Sequence, residues 1–435
     1  ATAAAGCQVH VAEKLQVPLH ILLTIPWMPT TAIAHPWARA WGANITEYIN
    51  AAAEALLRPG FALLALFAPK KSARVKAAVL RRVAAWGNWI STPLLDHTAW
   101  WGIADLMTSF RRQLGLPLLS ANNSGGALYR VPTTCLFSTA LVPRPPDWGS
   151  NVTLAGFLSL SDAAARFGAA AAASAAAGSE SSNTCGDSDA SSSSSDSEAE
   201  SWTSQPSDQK PDDSSSSSSS SSSSWQPPEE LLQFLDAGSP PIYIGFGSMV
   251  VQDPQQLLQM VHQAAAALPA AQRILLCTGW SGAAGTAAAA GAASSNAADA
   301  AVAMDADGGG SSSTRVLCIK EAPHEWLFPR CSALVHHGGV GTTAAGLRCG
   351  KPTVVVPAFG DLFFFADMCH KLGVGPAPIP LPELTADRLL ATLQQLVAEH
   401  GRYSAAAAGV ADQLRCEDGL AAAVASVARA LDAAA

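Results

Sequence analysis

The sequence predicts an α/β protein built on parallel, doubly wound sheets, and three observations carry that expectation. Short apolar runs such as Ile242–Gly245, Ala333–His336 and Thr353–Val356 lack the alternation of a half-exposed strand and suit strands covered on both faces. Helix-periodic stretches at 254–268 and 384–399 alternate with those runs in the βαβ manner. Glycine-rich turns follow the strands directly, most visibly in His336-His337-Gly338-Gly339-Val340-Gly341-Thr342-Thr343, which opens into the helix-like Ala344-Ala345-Gly346-Leu347.

Each segment takes its place in that scheme. A buried strand is expected at 18–25, helices around 45–57 and 73–113, and short strands near 134–138 and 152–158. From Arg166 to Pro228 the composition collapses to small, polar and acidic residues, with an unbroken serine run from Ser214 to Ser224. Such a segment buries too little apolar surface to offset chain entropy and is expected to be a disordered insert. Strands at 242–245, 273–278 and 315–319 follow, the last two separated by a second low-complexity loop over 281–313. Strands at 333–336 and 353–356 and amphipathic helices at 384–399 and about 404–431 complete the chain.

Composition narrows the function. The chain has 435 residues and a net charge of −8, with much of the acidity in the serine-rich insert, so no basic field is offered to nucleic acid. Nine scattered cysteines show neither metal spacing nor a disulfide framework and suit a reducing, cytoplasmic setting. The apolar run Phe61–Ala68 is far too short to span a bilayer, and no transmembrane helix is expected. Cations at Lys70, Lys71, Arg74, Lys76, Arg81 and Arg82 alternate with Val75, Val79, Leu80 and Val83, a pattern that suits either a membrane-surface helix or a solvated helix face.

The glycine turn at 336–343 carries the chemistry. A buried strand that opens through glycines into a helix N-terminus leaves several backbone N–H groups aimed at one point, which suits a phosphate or diphosphate. His337 adds a side-chain donor, and Thr342 and Thr343 can cap the helix or bond the ligand. Adjacent strand residues point to opposite faces, so His336 and His337 cannot readily chelate one ion, and His336 is expected to pack. Asp361 stands just beyond the next strand, where open α/β sheets bind ligands, and is an acceptor for sugar hydroxyls or else a helix cap. Ser248, after Gly245-Phe246-Gly247, is an N-cap or a phosphate contact. The G-x-G-x-x-G fingerprint with its distal acidic residue is not found, which counts against an NAD(P)-dependent oxidoreductase.

These segments resemble the sterol 3β-glucosyltransferases, glycosyltransferases of the GT-B fold. The resemblance runs from Pro241–Ser248 and Thr278-Gly279-Trp280 through Ala322–Leu327 and His337–Thr343 to Phe359-Gly360-Asp361 and Gly373–Pro380. Upstream it includes Pro18–Ile21, Thr24–Thr30 and Leu141–Gly149, so that it covers nearly all of the chain outside the inserts. It implies two Rossmann-like domains facing across a cleft: a partial acceptor-binding domain over 1–165, the insert over 166–228, a UDP-sugar-binding domain over 229–403, and a helix over 404–435 that crosses back. It also implies inverting transfer of glucose from UDP-glucose to the 3β-hydroxyl of a membrane sterol, without a metal or other cofactor, by a protein peripherally attached to the membrane.

The donor-binding residues it implies are Gly247, Ser248, Gly279, Trp280, Ala322, His324, His337, Gly339, Gly341, Thr342 and Asp361. Trp27, Trp100 and Trp101, within an N-terminal part that also holds Trp37, Trp41, Trp86, Trp89 and Trp148, are candidates for the apolar wall a sterol needs. Two departures matter. The family follows its aspartate with glutamine, whereas this chain has Leu362. The family's N-terminal Gly-Thr-Arg-Gly-Asp-like loop has no counterpart before Pro18, so the chain is expected to enter that domain partway, with the general base upstream and His35 as the available local candidate. A binding protein without catalysis, or a transferase acting on another lipid or a phenolic acceptor, are the alternatives.

Overall fold

The computed structural model describes residues 6–39, 45–118, 128–159, 225–247, 254–279, 301–302 and 315–433. A helix α1 (Gly6–Leu15) leads into a sheet of three parallel strands, β1 (Ile21–Leu23), β2 (Thr133–Cys135) and β3 (Val152–Leu154), which set Ile21 opposite Thr133 and Thr133 opposite Val152. All three strands are shorter than the sequence suggests.

Between β1 and β2 lie two long helices, α2 (Ile45–Phe67) and α3 (Pro69–Leu114), joined through Ala68 and folded back on each other. Both exceed their expected limits. α2 passes Pro59 and continues to Phe67 because the lost hydrogen bond is offset by packing along α3, where Lys76 pairs with Glu54 at 2.5 Å. α3 starts at Pro69, where a missing N–H costs nothing, and ends where the Gly115 N–H caps the carbonyls of Arg111 and Arg112.

The second sheet follows α4 (Glu229–Asp236). Its strands are β4 (Ile242–Gly245), β5 (Ile274–Cys277), β6 (Ala301–Val302), β7 (Val316–Ile319), β8 (Ala333–His336) and β9 (Thr353–Val355), in the order β6-β7-β5-β4-β8-β9. Five are parallel; β6 is antiparallel to β7, so the loop expected over 281–313 contributes an edge strand at 301–302. Alternate residues go to opposite layers as the two-residue strand period requires. Ile242, Ile244, Ile274, Leu276 and Val335 pack with α5 (Pro254–Ala267) and α9 (Ala386–Ala398), while Tyr243, Leu275, Leu317 and Leu334 pack with α4 and with Leu327 of α6 (His324–Leu327).

From β4 the chain builds outward to β5 and β7 on one side and to β8 and β9 on the other. The order therefore reverses between β4 and β8, and such a reversal opens a crevice at the carboxyl ends of the two strands.

α7 (Val340–Arg348) and α8 (Leu362–Lys371) flank β9. They also share a core with the first sheet, in which Ile21, Phe137, Val152 and Phe157 are continuous with Leu347, Phe365 and Ala407. The helix expected over 404–431 is two, α10 (His400–Arg415) and α11 (Gly419–Asp432). The break has a cause in the N-terminal half. One Glu417 carboxylate oxygen accepts from the Ser138 hydroxyl at 2.8 Å and from the Thr139 N–H and hydroxyl at 3.2 and 3.1 Å. Asp418 then caps α11, which lies on β2 and β3.

Candidate active site

The reversal point is filled by backbone. Gly247, two residues past β4, and Gly279, two past β5, both adopt left-handed φ values, +62° and +57°. A methyl group on Gly279 would lie 2.2 Å from the Gly247 carbonyl oxygen, so the two turns touch and only glycine fits. The His337 ring, one residue past β8, occupies the slot between Gly247 and Gly339: a side-chain carbon on either would come within 3.0 Å and 2.5 Å of it.

Gly339 precedes α7 and offers no side-chain cap, which leaves the first-turn N–H groups of Val340, Gly341 and Thr342 without an intrahelical acceptor. Among the described residues no atom lies within 4 Å of where a Gly341 side chain would begin. Gly247, Gly279, His337, Gly339, Gly341 and Thr342 are thus brought to one crevice. Thr343 is not: it is fully buried, and its hydroxyl is turned inward.

The three histidines here have different environments. His336 is fully buried; its Nδ1 accepts the Gly338 N–H at 3.0 Å, and burial lowers its pKa to about 3. Its ring is 6.4 Å from that of His337 and inclined at 75°, so the pair does not chelate. Burial also lowers the pKa of His337, partly countered by the Asp361 carboxylate, and its Nδ1 is buried with no hydrogen-bond partner among the described residues. A neutral imidazole that takes up a proton from solvent when an anion arrives suits a phosphate contact. His324 opens α6 stacked on Phe328 at 4.4 Å, its pKa lowered by burial and then by His337, while Ala322 packs against the core cluster that contains Phe328.

Asp361 occupies the N-cap position of α8 but makes no side-chain cap bond, and its carboxylate acts electrostatically on His337. Leu362 is buried, so the position that holds glutamine in the resembled family contributes packing here and no polar group. Against this turn lies a residue singled out by no motif: the Trp37 indole sits 3.4–3.6 Å from where a Gly360 side chain would begin.

Trp37 belongs to the loop that holds the acceptor-side candidates. The Trp27 N–H donates to Asp96 at 3.0 Å, and the ring meets His35 edge-on at 4.3 Å. Asp96 also accepts from the Tyr129 hydroxyl, and its pKa is raised by burial. The His35 N–H donates to the Ser91 hydroxyl at 2.8 Å, and its Nδ1 accepts the Trp37 N–H at 3.1 Å. That bond assigns the proton to Nε2, which is buried without a hydrogen-bond partner among the described residues; His35 also borders a cavity of about 170 Å³ lined by Ile33, Asn88, Phe364, Met368 and Lys371. With its pKa lowered by burial to about 3 and its lone pair engaged, His35 is a hydrogen-bond donor here and a poor base.

Trp100 is half-buried and Trp101 exposed on α3, so neither lines this cavity. Ser248 and Trp280 lie outside the described residues, as do residues 166–224 of the expected insert. The Trp27–Asp96–Tyr129 group and Trp37 carry no local signal, because their partners are far away in sequence.

Comparison with known proteins bears on this geometry. Residues 301–428 match the family model described as the C-terminal domain of the erythromycin biosynthesis protein CIII-like family. A sterol 3-beta-glucosyltransferase of Arabidopsis thaliana is 29% identical over 96% of the chain and 47% of its own length. The chain is thus similar to sterol 3-beta-glucosyltransferases. A UDP-sugar-dependent glycosyltransferase of Dictyostelium discoideum is 27% identical over 90% of the chain and 18% of its own length. A solved glycotransferase of kitacinnamycin aligns with 99% of the chain and 74% of its own length, at 15% identity and a TM-score of 0.48. The chain thus spans about half the length of the Arabidopsis relative and less of the Dictyostelium one.

Proposed function

We propose that this chain carries the donor-binding half and acceptor-side residues of an inverting UDP-glucose:sterol glucosyltransferase. The observation that carries the reading is the convergence of Gly247, Gly279, His337 and the uncapped N-terminus of α7 at the point where the strand order reverses. First-turn amides and His337 receive the diphosphate, and Asp361 accepts from sugar hydroxyls at the crevice edge. A general base takes the proton of the acceptor hydroxyl as its oxygen attacks the anomeric carbon from the face opposite the diphosphate, the bond to UDP breaks, and charge developing on the leaving phosphate is met by dipoles already in place, without a metal. The sterol, a membrane lipid, is presented from the side of the Trp27–Trp37 loop, which makes the protein peripheral to a membrane.

A second reading has its own support. Leu362 offers no hydrogen bond to the sugar, and His35 holds its proton, so these residues suit binding of nucleotide and sterol without turnover. Two measurements separate the readings. Calorimetry with UDP and UDP-glucose tests the cradle, and transfer of radiolabelled glucose to a panel of sterols, other lipids and phenols tests the reaction. Binding without transfer selects the second reading; absence of UDP binding removes both.

A further inference from the structure

We propose that the α2–α3 hairpin is a docking surface for a bilayer that carries anionic phospholipids. Residues 45–83 contain seven cations (Arg58, Lys70, Lys71, Arg74, Lys76, Arg81 and Arg82) and two acids (Glu47 and Glu54), within a chain whose net charge is −8. Positive charge is therefore concentrated on one element while the rest of the chain is acidic. Lys76 is paired with Glu54 across the hairpin, which leaves the excess on the opposite surface of α3.

That surface is also aromatic. At 100° per residue, Lys71, Val75, Arg82, Trp86 and Trp89 fall within roughly 60° of arc, a stripe about 27 Å long at 1.5 Å per residue. Trp86 is 57% exposed and Trp89 44%, and on α2 Leu56 is 81% exposed and Tyr48 66%. An indole half out of a helix, with cations one turn away, fits the headgroup boundary of a membrane, where the ring enters the acyl region and the N–H stays wet. An acidic protein would satisfy the cations but leave the indoles without a reason. No described helix is long and apolar enough to cross a bilayer, so the hairpin lies on the surface. The inference bears on the proposed acceptor, a membrane lipid, yet it rests on charge and exposure alone.

The test uses the full chain in flotation with phosphatidylcholine vesicles, with and without phosphatidylserine. Retention is expected on the anionic vesicles only and is lost in high salt. Lys71→Ala with Arg82→Ala should lower partitioning about 30-fold, from a contribution of about 1 kcal/mol per cation. Trp86→Ala with Trp89→Ala should also lower it and abolish a blue shift of tryptophan emission on binding. These residues lie outside the crevice, so UDP affinity stays unchanged in both variants. Equal partitioning of wild type and variants, or no retention on any vesicle, overturns the hairpin assignment. Loss of sterol glucosylation with vesicle binding intact counts only against the proposed reaction.

Discussion

The cradle at Gly247, Gly279 and Gly339 and the segment from Trp27 to Trp37, which meets the turn at Gly360, are made from different materials. The cradle is backbone: two left-handed turns in contact, a helix N-terminus without a cap and one imidazole held in a slot between glycines. The loop is held by side chains from distant segments, Trp27 by Asp96, His35 by Ser91, and Thr30 and Thr31 by Asp147. A backbone site fails when a side chain is added. A side-chain site fails gradually, one hydrogen bond at a time.

The largest effect should follow the smallest change, Gly279→Ala. The new methyl group meets a main-chain oxygen at 2.2 Å in a turn with φ of +57°, so stability should fall by about 3 kcal/mol and UDP affinity more than about 100-fold. Thermal unfolding and calorimetry check this, and wild-type values in both would break the comparison.

Acid should act on both regions at once. His35 and His336 are each held neutral, with pKa values lowered by burial to about 3, whereas the unfolded chain protonates them near 6.5. Their contribution is therefore fully present above about pH 6.5 and is lost as pH falls toward 3, at up to about 1.4 kcal/mol per pH unit for each. In His336→Asn the amide oxygen replaces Nδ1 as acceptor for the Gly338 N–H, and the pH slope of urea unfolding should flatten by one histidine's share. An unchanged slope would mean that His336 takes up its proton in the folded protein.

His337→Ala should separate binding from stability. The ring makes no hydrogen bond through Nδ1, so the melting temperature should hardly move, while UDP affinity falls about 10- to 100-fold with the loss of a charge-assisted contact. A bound diphosphate raises the pKa of His337, so its contribution is full below the free value and disappears as pH rises through the bound value. Calorimetry in buffers of different ionisation enthalpy should report proton uptake in wild type and none in the variant.

The smallest change belongs to the loop. Trp27→Phe removes one donor to Asp96 but keeps the Tyr129 bond, so it should cost about 1 kcal/mol of stability and leave UDP binding intact. A large drop in UDP affinity would show that the loop shapes the cradle after all.

The sequence alone determined the features that follow from local stereochemistry. Apolar runs bounded by glycines dictated buried parallel strands, and the turn at 336–343 announced a helix end without a side-chain cap because backbone geometry depends on neighbours along the chain. It also exposed the departure at Leu362. Helix limits were misjudged at Pro59 and at 416–418, where contacts with α3 and with Ser138 and Thr139 outweigh local preference. Only the tertiary structure could decide that Trp37 meets Gly360, that Asp96 gathers Trp27 and Tyr129, and that the His35 lone pair is engaged. Each of these depends on which distant residues a shared core brings together, and a side chain's protonation and partners are set by what packs around it.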